Sequence, residues 1–549
     1  MGKKMKKNGF IEGAVIAYAA IIITKILGAV YSIPFYSIIG EKGSVIYSFA
    51  YNIYVLFLDI SSSGIPIAIS IVISEYASKG MLKSKEKAYK LGLKVVFTLS
   101  IVAFLILQIF ANQVSKYFIS DMTEGVTVAE VALAIRVISY CLIIVPFLSM
   151  KRGYLQGHKC MAPSSTSQVI EQFIRIAFVL AGSYLVIYVF KQSVTLGVCA
   201  ALFGAFIGAA AALVYIIAKC RKNNEIFDDD TEDIEDMPET TKNIIKKLLT
   251  YCFTIVIVSV SASIYNIVDL KFLLMGLKGT GYSDVDTQVI ASIASTWIPK
   301  ICMIVVALAM GLTNSIAPHM AESFAKGNLK EVNAKLNQGI GTIIVVSIPL
   351  ATGIAIFAEP VYRLFFGYSD FGASILAAAI MLNVIGSVVS VVSMAMQSVG
   401  RGTPVIIYTI VGIVINAGLD LPLIYLFDSI GIPSYLGATA ASIIGQAVTL
   451  FFLLGSLYRK YKLTYTPSLI TLLRTIIPTA AMAGTVILIS SFWKITDARN
   501  LMLIAQLGVL ALAGAVVYLL LSYKMGALTI IIDKEKIHKI LRKLHLVRN

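Results

Sequence analysis

The chain of 549 residues is 58% hydrophobic and only 14% charged, with a mean hydropathy of +0.85. A soluble domain carries about a quarter charged residues, so this composition excludes an ordinary soluble enzyme and points to lipid as the solvent. The formal net charge of +16 raises nucleic acid as a partner, but its distribution along the chain argues against that.

Apolar runs of about 18 or more residues read as transmembrane helices. The sequence holds fourteen, near 11–39, 45–76, 92–111, 127–150, 165–190, 194–218, 248–273, 287–320, 337–358, 371–397, 403–427, 435–458, 469–492 and 500–523. They are continuous rather than alternating, which argues against a barrel. The expected fold class is all-α integral membrane with 14 transmembrane helices. The opening MGKKMKKNGFIEGAV is basic and then apolar. Its apolar run is long and lacks a small-residue cleavage site, so it reads as a retained first helix.

With the amino terminus inside, most of the 46 Lys and Arg fall on inner segments. The outer loops hold seven: Lys42, Lys116, Lys191, Lys278, Arg363, Lys494 and Arg499. This positive-inside pattern predicts cytoplasmic termini and no nucleic-acid partner. Anionic membrane lipid is a second expected partner of these cations, at about 1 kcal/mol each.

Two stretches of sequence recur. SGIPIAISIVISEYASKG (63–80) returns as MGLTNSIAPHMAESFAKG (310–327), with five identities in eighteen positions. YLQGHKCMAP (154–163) returns as AMQSVGRGTP (395–404), matching Gln156 with Gln397 and Pro163 with Pro404. The offsets, 247 and 241, are close. Six helices separate the copies, an even number, so the repeat is parallel, about an axis along the membrane normal. The expected organisation is an N-lobe of six helices (1–222), an acidic cytoplasmic linker (223–242), a C-lobe of six helices (243–462), and helices 13–14 with a basic tail (463–549). Ile537, Ile540, Leu541 and Leu544 give that tail an amphipathic pattern suited to the membrane surface.

Both copies of the first echo end a helix on the inner side. Lys79 and Lys326 follow Glu75 and Glu322 by four residues, which favours pairing along a helix. Gly80 and Gly327 can stop the helix in a left-handed conformation. Two readings stand: a helix terminator at the membrane surface, or a gate at the inner mouth.

Ionisable groups at bilayer depth cost about 3 kcal/mol or more and tend to pair or to line a cavity. The deeper set is Lys25, Asp59, Arg136, Glu171, Arg175 and Lys300, four cations against two anions. The i, i+4 spacing of Glu171 and Arg175 lets them neutralise each other, and Arg136 is close enough to the surface to snorkel in part. Lys25 and Lys300 are expected to face a cavity, whose positive charge suits a phosphate or pyrophosphate head group. Asp269, Lys271 and Asp420 read as interfacial. No histidine, cysteine or carboxylate spacing forms a metal or nucleophile constellation, and GxxxxGK[ST] is absent, so no cofactor and no catalytic residue is expected. A cation-coupled multidrug antiporter, using Asp59 and Glu171, is the alternative. A membrane-embedded glycan polymerase or ligase ranks last, since the outer loops are short.

TKILGAVYSIPFYSIIGEKGSVIYSFAYNIY and SSSGIPIAISIVISEYASKG, with the YLQG…P and MQSVGRGTP turns, resemble the stage V sporulation protein B family. That family belongs to the oligosaccharide-flippase branch of the multidrug/oligosaccharidyl-lipid/polysaccharide exporter superfamily. The resemblance implies two six-helix lobes in a V, with alternating access to each side. It also implies kinship with lipid II flippases of the bacterial plasma membrane, which move undecaprenyl-pyrophosphate-linked sugars outward. Lipid-linked oligosaccharide, and cell-wall synthesis enzymes, are the partners it suggests. Lys25, just before Leu27-Gly28, fits that family's first-helix cavity cation, and Lys300 its eighth-helix cation within about one residue. A further first-helix cation of the family falls at or near Tyr31, which is uncharged.

Overall fold

The computed structural model describes residues 10–60, 65–78, 80–119, 122–158, 160–222, 240–313 and 316–530. Lys79, most of the acidic linker and the basic tail lie outside these residues. Every regular element described is a helix. In chain order these are α1 (Phe10–Val30), α2 (Ser32–Leu58), α3 (Ile65–Ser78), α4 (Leu82–Ile119), α5 (Val128–Ser139), α6 (Cys141–Gly157), α7 (Met161–Tyr184), α8 (Val194–Lys222), α9 (Thr241–Gly279) and α10 (Asp284–Ser292). There follow α11 (Ile298–Thr313), α12 (Ile316–Ala325), α13 (Leu329–Ile356), α14 (Ala358–Phe366), α15 (Gly372–Ser398), α16 (Gly402–Ser429), α17 (Leu436–Tyr461), α18 (Thr466–Phe492) and α19 (Leu501–Lys524).

Among the described residues, eleven helices are long and apolar enough to cross a membrane, or twelve when one bent pair counts as a single span. Fourteen were expected, and the described helices break within the first two of them. The expected first span divides at Tyr31, where Ala19–Val30 and Ser32–Leu58 meet at 41°. Gly40 (φ 63, ψ −171) breaks α2 again, in a conformation that favours glycine. The expected second span divides into α2 and α3, and α3, with 14 residues, is short for crossing alone. The eighth holds a π-helical turn (Ile293–Trp297) between α10 and α11 but runs on through it as one span, Asp284–Val306, with α12 following. Hydropathy windows register apolar content and pass over such breaks.

The chain folds as two compact units, Met1–Lys300 with Asp420–Tyr435, and Ile301–Leu419 with Leu436–Asn549. This division follows spatial contacts, whereas the lobes expected above follow sequence similarity. In the first unit, α7 and α8 approach closely at Gly204 and Gly208. A Cβ at Gly208 would lie 2.7 Å from the Glu171 carbonyl oxygen, and one at Gly204 3.1 Å from the Val179 nitrogen. Small residues four apart allow such approaches between membrane helices. In the second unit, α13 packs on α15 and α18, and α18 on α19. There the Tyr518 hydroxyl donates to the Val345 carbonyl at 2.6 Å, and Ser468 Oγ to Asn337 Oδ1 at 2.6 Å.

The sequence echoes have the same local geometry in both copies. Gly80 and Gly327 both have φ of +72, and the nitrogens of Met81 and Asn328 donate back to Tyr76 and Ser323 at 3.0 and 2.9 Å. This is the six-to-one bond of a Schellman helix end. The second pair has the same bond, from Cys160 to Leu155 at 2.8 Å and from Arg401 to Met396 at 2.9 Å. At Gly327 nothing lies within 4 Å of an added Cβ, so Gly327→Ala isolates the backbone term. It should destabilise the protein by about 1 kcal/mol. Gly353→Ala, inside α13 and also in open space, should be neutral or stabilising. Thermal unfolding of the purified protein checks the opposite signs.

Candidate functional site

Three breaks in helical regularity gather one cluster in the first unit. Tyr31 sits at the bend between α1 and α2. Tyr47, Tyr51 and Tyr54 come later on α2 at helical spacing and so share a face. Trp297 ends the π-helical turn, and Lys300 lies a turn later on α11. A π-bulge shifts the register of the helical residues after it, and such bulges recur at functional sites.

Lys300 is 8% exposed, and its Nζ lies 4.0 Å from the Trp297 ring centre, 4.8 Å from Tyr47 and 5.4 Å from Tyr31. It has no ion pair among the described residues. A desolvated ammonium over aromatic faces gains about 2 kcal/mol or more. The rings brace one another: Tyr36 meets Trp297 edge-on at 4.9 Å, and Tyr47 stacks on Tyr51 at 5.4 Å. The Trp297 indole donates to Ser292 Oγ at 3.1 Å.

A second group of charges stands on α6 and α7. Arg152 pairs with Glu171 at 2.8 Å and donates through Nε to Ser167 Oγ at 2.8 Å. Arg175 also pairs with Glu171, and its Nε is buried without a hydrogen bond. Two guanidiniums thus share one carboxylate, leaving one positive charge in excess. Arg175 also lies within electrostatic reach of the phenols of Tyr31, Tyr51 and Tyr54. The excess cation and the Lys300 cage therefore face the same row of tyrosines.

A polar seam runs beside the cage. Ser48 Oγ is 2.6 Å from Thr296 Oγ1 and 3.1 Å from Ser295 Oγ. Asn52 donates to Ser295 Oγ at 3.0 Å and accepts from Asn266 at 2.9 Å.

The remaining residues singled out in the sequence have other partners or none among the described residues, and Asp59 lies within electrostatic reach of Tyr51. Lys25 is on α1 and exposed. Asp59 accepts from Ser263 on α9 at 2.5 Å. Arg136 holds the α4–α5 joint, donating to the Gln108 carbonyl at 3.3 Å while Gln108 donates to the Arg136 carbonyl at 2.9 Å. Glu75 pairs with Lys247 on α9 at 2.7 Å. Glu322 pairs with Lys326 at 2.5 Å as its spacing anticipates, and that hydrogen bond holds the exposed Glu322 carboxyl below the usual range. Asp420 was expected at the interface and is fully buried, within electrostatic reach of Asp269; α16 carries it into the first unit's interior.

Sequence reading missed Arg152 and the aromatic cage. The signals were available: Arg152 precedes Glu171 in the same helical hairpin, and tyrosines recur through YSFAYNIY. No group of three or more His, Cys, Asp or Glu able to hold a metal occurs among the described residues.

A multi-pass, all-helical chain with a cationic, aromatic-lined site among its helices has the make-up of a membrane transporter. The polysaccharide biosynthesis protein family matches residues 10–281, and the MatE family residues 282–421. Over 543 residues the chain is 30% identical to the lipid II flippase MurJ of Bacillus subtilis (strain 168), covering 96% of this chain and 97% of that protein. Stage V sporulation protein B of the same organism is 22% identical over 367 residues, 66% of this chain and 68% of that one. A solved structure of the lipid II flippase MurJ in an inward closed conformation shares the fold, with a TM-score of 0.66 over 92% of this chain and 98% of that one at 15% identity. The chain belongs to the family of polysaccharide biosynthesis proteins that includes the flippase MurJ, and it is a transporter.

Glu171→Gln should strand two guanidiniums without their carboxylate and destabilise the protein by about 3 to 5 kcal/mol. Arg152→Ala leaves Glu171 paired with Arg175 and should cost less. Melting temperatures of the two variants, ranked against the parent, check the order.

Proposed function

We propose that this protein is a flippase that carries an undecaprenyl-pyrophosphate-linked oligosaccharide, lipid II or a related envelope glycan precursor, outward across the bacterial plasma membrane by alternating access. The observation that carries the reading is Lys300, buried at 8% exposure in an aromatic cage without an anionic partner among the described residues. An ammonium so placed favours an anionic head group, and the excess charge of the Arg152–Glu171–Arg175 group adds to the attraction. The lipid II flippase similar over nearly the whole chain supports the same cargo class.

In this reading the chain forms fourteen spans in two parallel six-helix repeats, with helices 13–14 beside the polyprenyl tail and both termini cytoplasmic. The seam at Ser48 supports the repeat. A two-fold axis brings a residue against its own counterpart, and Ser48 meets Ser295, 247 positions on. Rocking of the two repeats about such a seam would expose the cargo site to each side in turn. Lys25 is assigned to the cavity that takes the head group. The antiporter reading keeps one observation in its favour, the neighbouring carboxylates Asp269 and Asp420, which suit a coupling cation.

Native mass spectrometry of the gently purified protein should find a polyprenyl-pyrophosphate sugar retained by the wild type and reduced about tenfold or more in Lys300→Ala and Lys25→Ala. In cells depleted of their own lipid II flippase, the wild type should sustain growth and both variants should fail at equal membrane abundance. Full transport by both variants would remove the head-group reading. Drug resistance that tracks expression, with unchanged envelope polymers, would favour the antiporter.

A further inference from the structure

The second compact unit contains a pocket that the proposed cargo site does not use. It encloses about 360 Å³ between the junction of α15 with α16 and the end of α17. Arg401, Arg459 and Lys460 line it, with Tyr408, Phe451 and Phe452, and no carboxylate is among its lining residues. None of the three cations has an ion pair among the described residues. The hydrogen bond from Arg401 Nη1 to Ser456 Oγ is long, at 3.4 Å. Lys460 Nζ lies 5.5 Å from the ring of its neighbour Tyr461.

Arg459 and Lys460 stand in the last turn of α17, where cations complement the helix carbonyls. That accounts for two of the charges and leaves Arg401, which comes from a different helix junction into the same pocket. Three like charges without an anion repel one another, and the repulsion is relieved when an anion enters. One wall is aromatic and open: Phe451 is 72% exposed and Phe452 40% exposed, with Tyr408 stacked on Phe452 at 5.5 Å. Exposed Phe rings on a membrane helix are solvated by acyl chains, and a Tyr beside them suits the head-group boundary. A soluble anion would make no use of them.

We propose that this pocket binds the phosphate of an anionic phospholipid, with an acyl chain lying along the exposed Phe451 face of α17. The two guanidiniums supply forked donors to the phosphate oxygens and Lys460 a point charge. Basic pockets between helices near the inner interface suit such head groups. On the orientation proposed above the pocket opens to the inner leaflet, although binding itself does not depend on that orientation.

The test uses the full chain in detergent, with phosphatidylglycerol, phosphatidylcholine and inorganic phosphate as separate probes. Phosphatidylglycerol should raise the melting temperature of the wild type and remain bound in native mass spectrometry, while the other two probes do neither. The triple variant R401Q/R459Q/K460Q should require about a hundredfold more phosphatidylglycerol for the same shift. Arg401→Gln alone should give a smaller loss and serves if the triple variant does not fold. Phe451→Ser, which keeps every charge, should also weaken lipid binding. An unchanged response in the cation variants would overturn the site. Equal stabilisation by inorganic phosphate would overturn the lipid as its source, and equal stabilisation by phosphatidylcholine would overturn recognition by charge. Lys300→Ala should bind phosphatidylglycerol normally, so failure of the cargo reading and failure of this one remain distinguishable.

Discussion

A cation carried into a membrane needs a partner, and this protein resolves that constraint in two ways within one unit. Arg152 and Arg175 share Glu171, exchanging most of their hydration for ion pairs and keeping one charge in excess. Lys300 exchanges its hydration for the faces of Trp297, Tyr47 and Tyr31. Aromatic faces are weaker partners than a carboxylate, and they leave the charge uncompensated. The field of the site therefore remains positive. A carboxylate beside Lys300 would stabilise the apo protein further and abolish that preference for an anion.

The packing around these charges comes from the need to hold them in place. Gly204 and Gly208 let α8 press against the backbone of α7 near Glu171 and Arg175. Regular helices would not bring Tyr31, Tyr47, Trp297 and Lys300 around one point. The bend at Tyr31, the break at Gly40 and the π-helical turn before Lys300 re-aim these side chains at the expense of ideal backbone pairing. Helix irregularities in membrane proteins persist where neighbouring polar groups satisfy the freed backbone or side chains. At the π-helical turn Asn266 donates to the Ser295 carbonyl at 3.3 Å and Ser295 Oγ to the Ala291 carbonyl at 2.7 Å, while Ser48, Asn52 and Thr296 bond the same side chains.

The second unit puts its cations to another use. Arg363 pairs with Glu359 and Asp497, and Arg499 donates to the carbonyls of Leu364 and Phe365, so the loop after α18 is tied to α14. Arg401, Arg459 and Lys460 have no such anchors among the described residues. The contrast between the two groups, a few helices apart on one chain, is what singles out the second as a ligand pocket.

The sequence by itself determined the solvent, the helical class, the family resemblance and the repeated helix ends. Each depends on local properties: apolar run length, residues in series, and a glycine that adopts φ of +72 in both copies. Glu171 with Arg175, and Glu322 with Lys326, were legible because four residues make one helical turn. The partners that only the tertiary structure decided are distant in sequence. Arg152 reaches Glu171 from another helix, Glu75 meets Lys247 on a helix far along the chain, and Lys300 finds rings at positions 31 and 47. The continuity of the spans was decided there too, because a hydropathy window averages over the residues where the backbone turns. Chain-local energies are written in sequence order, whereas the partner of a buried charge is chosen by which helices pack together.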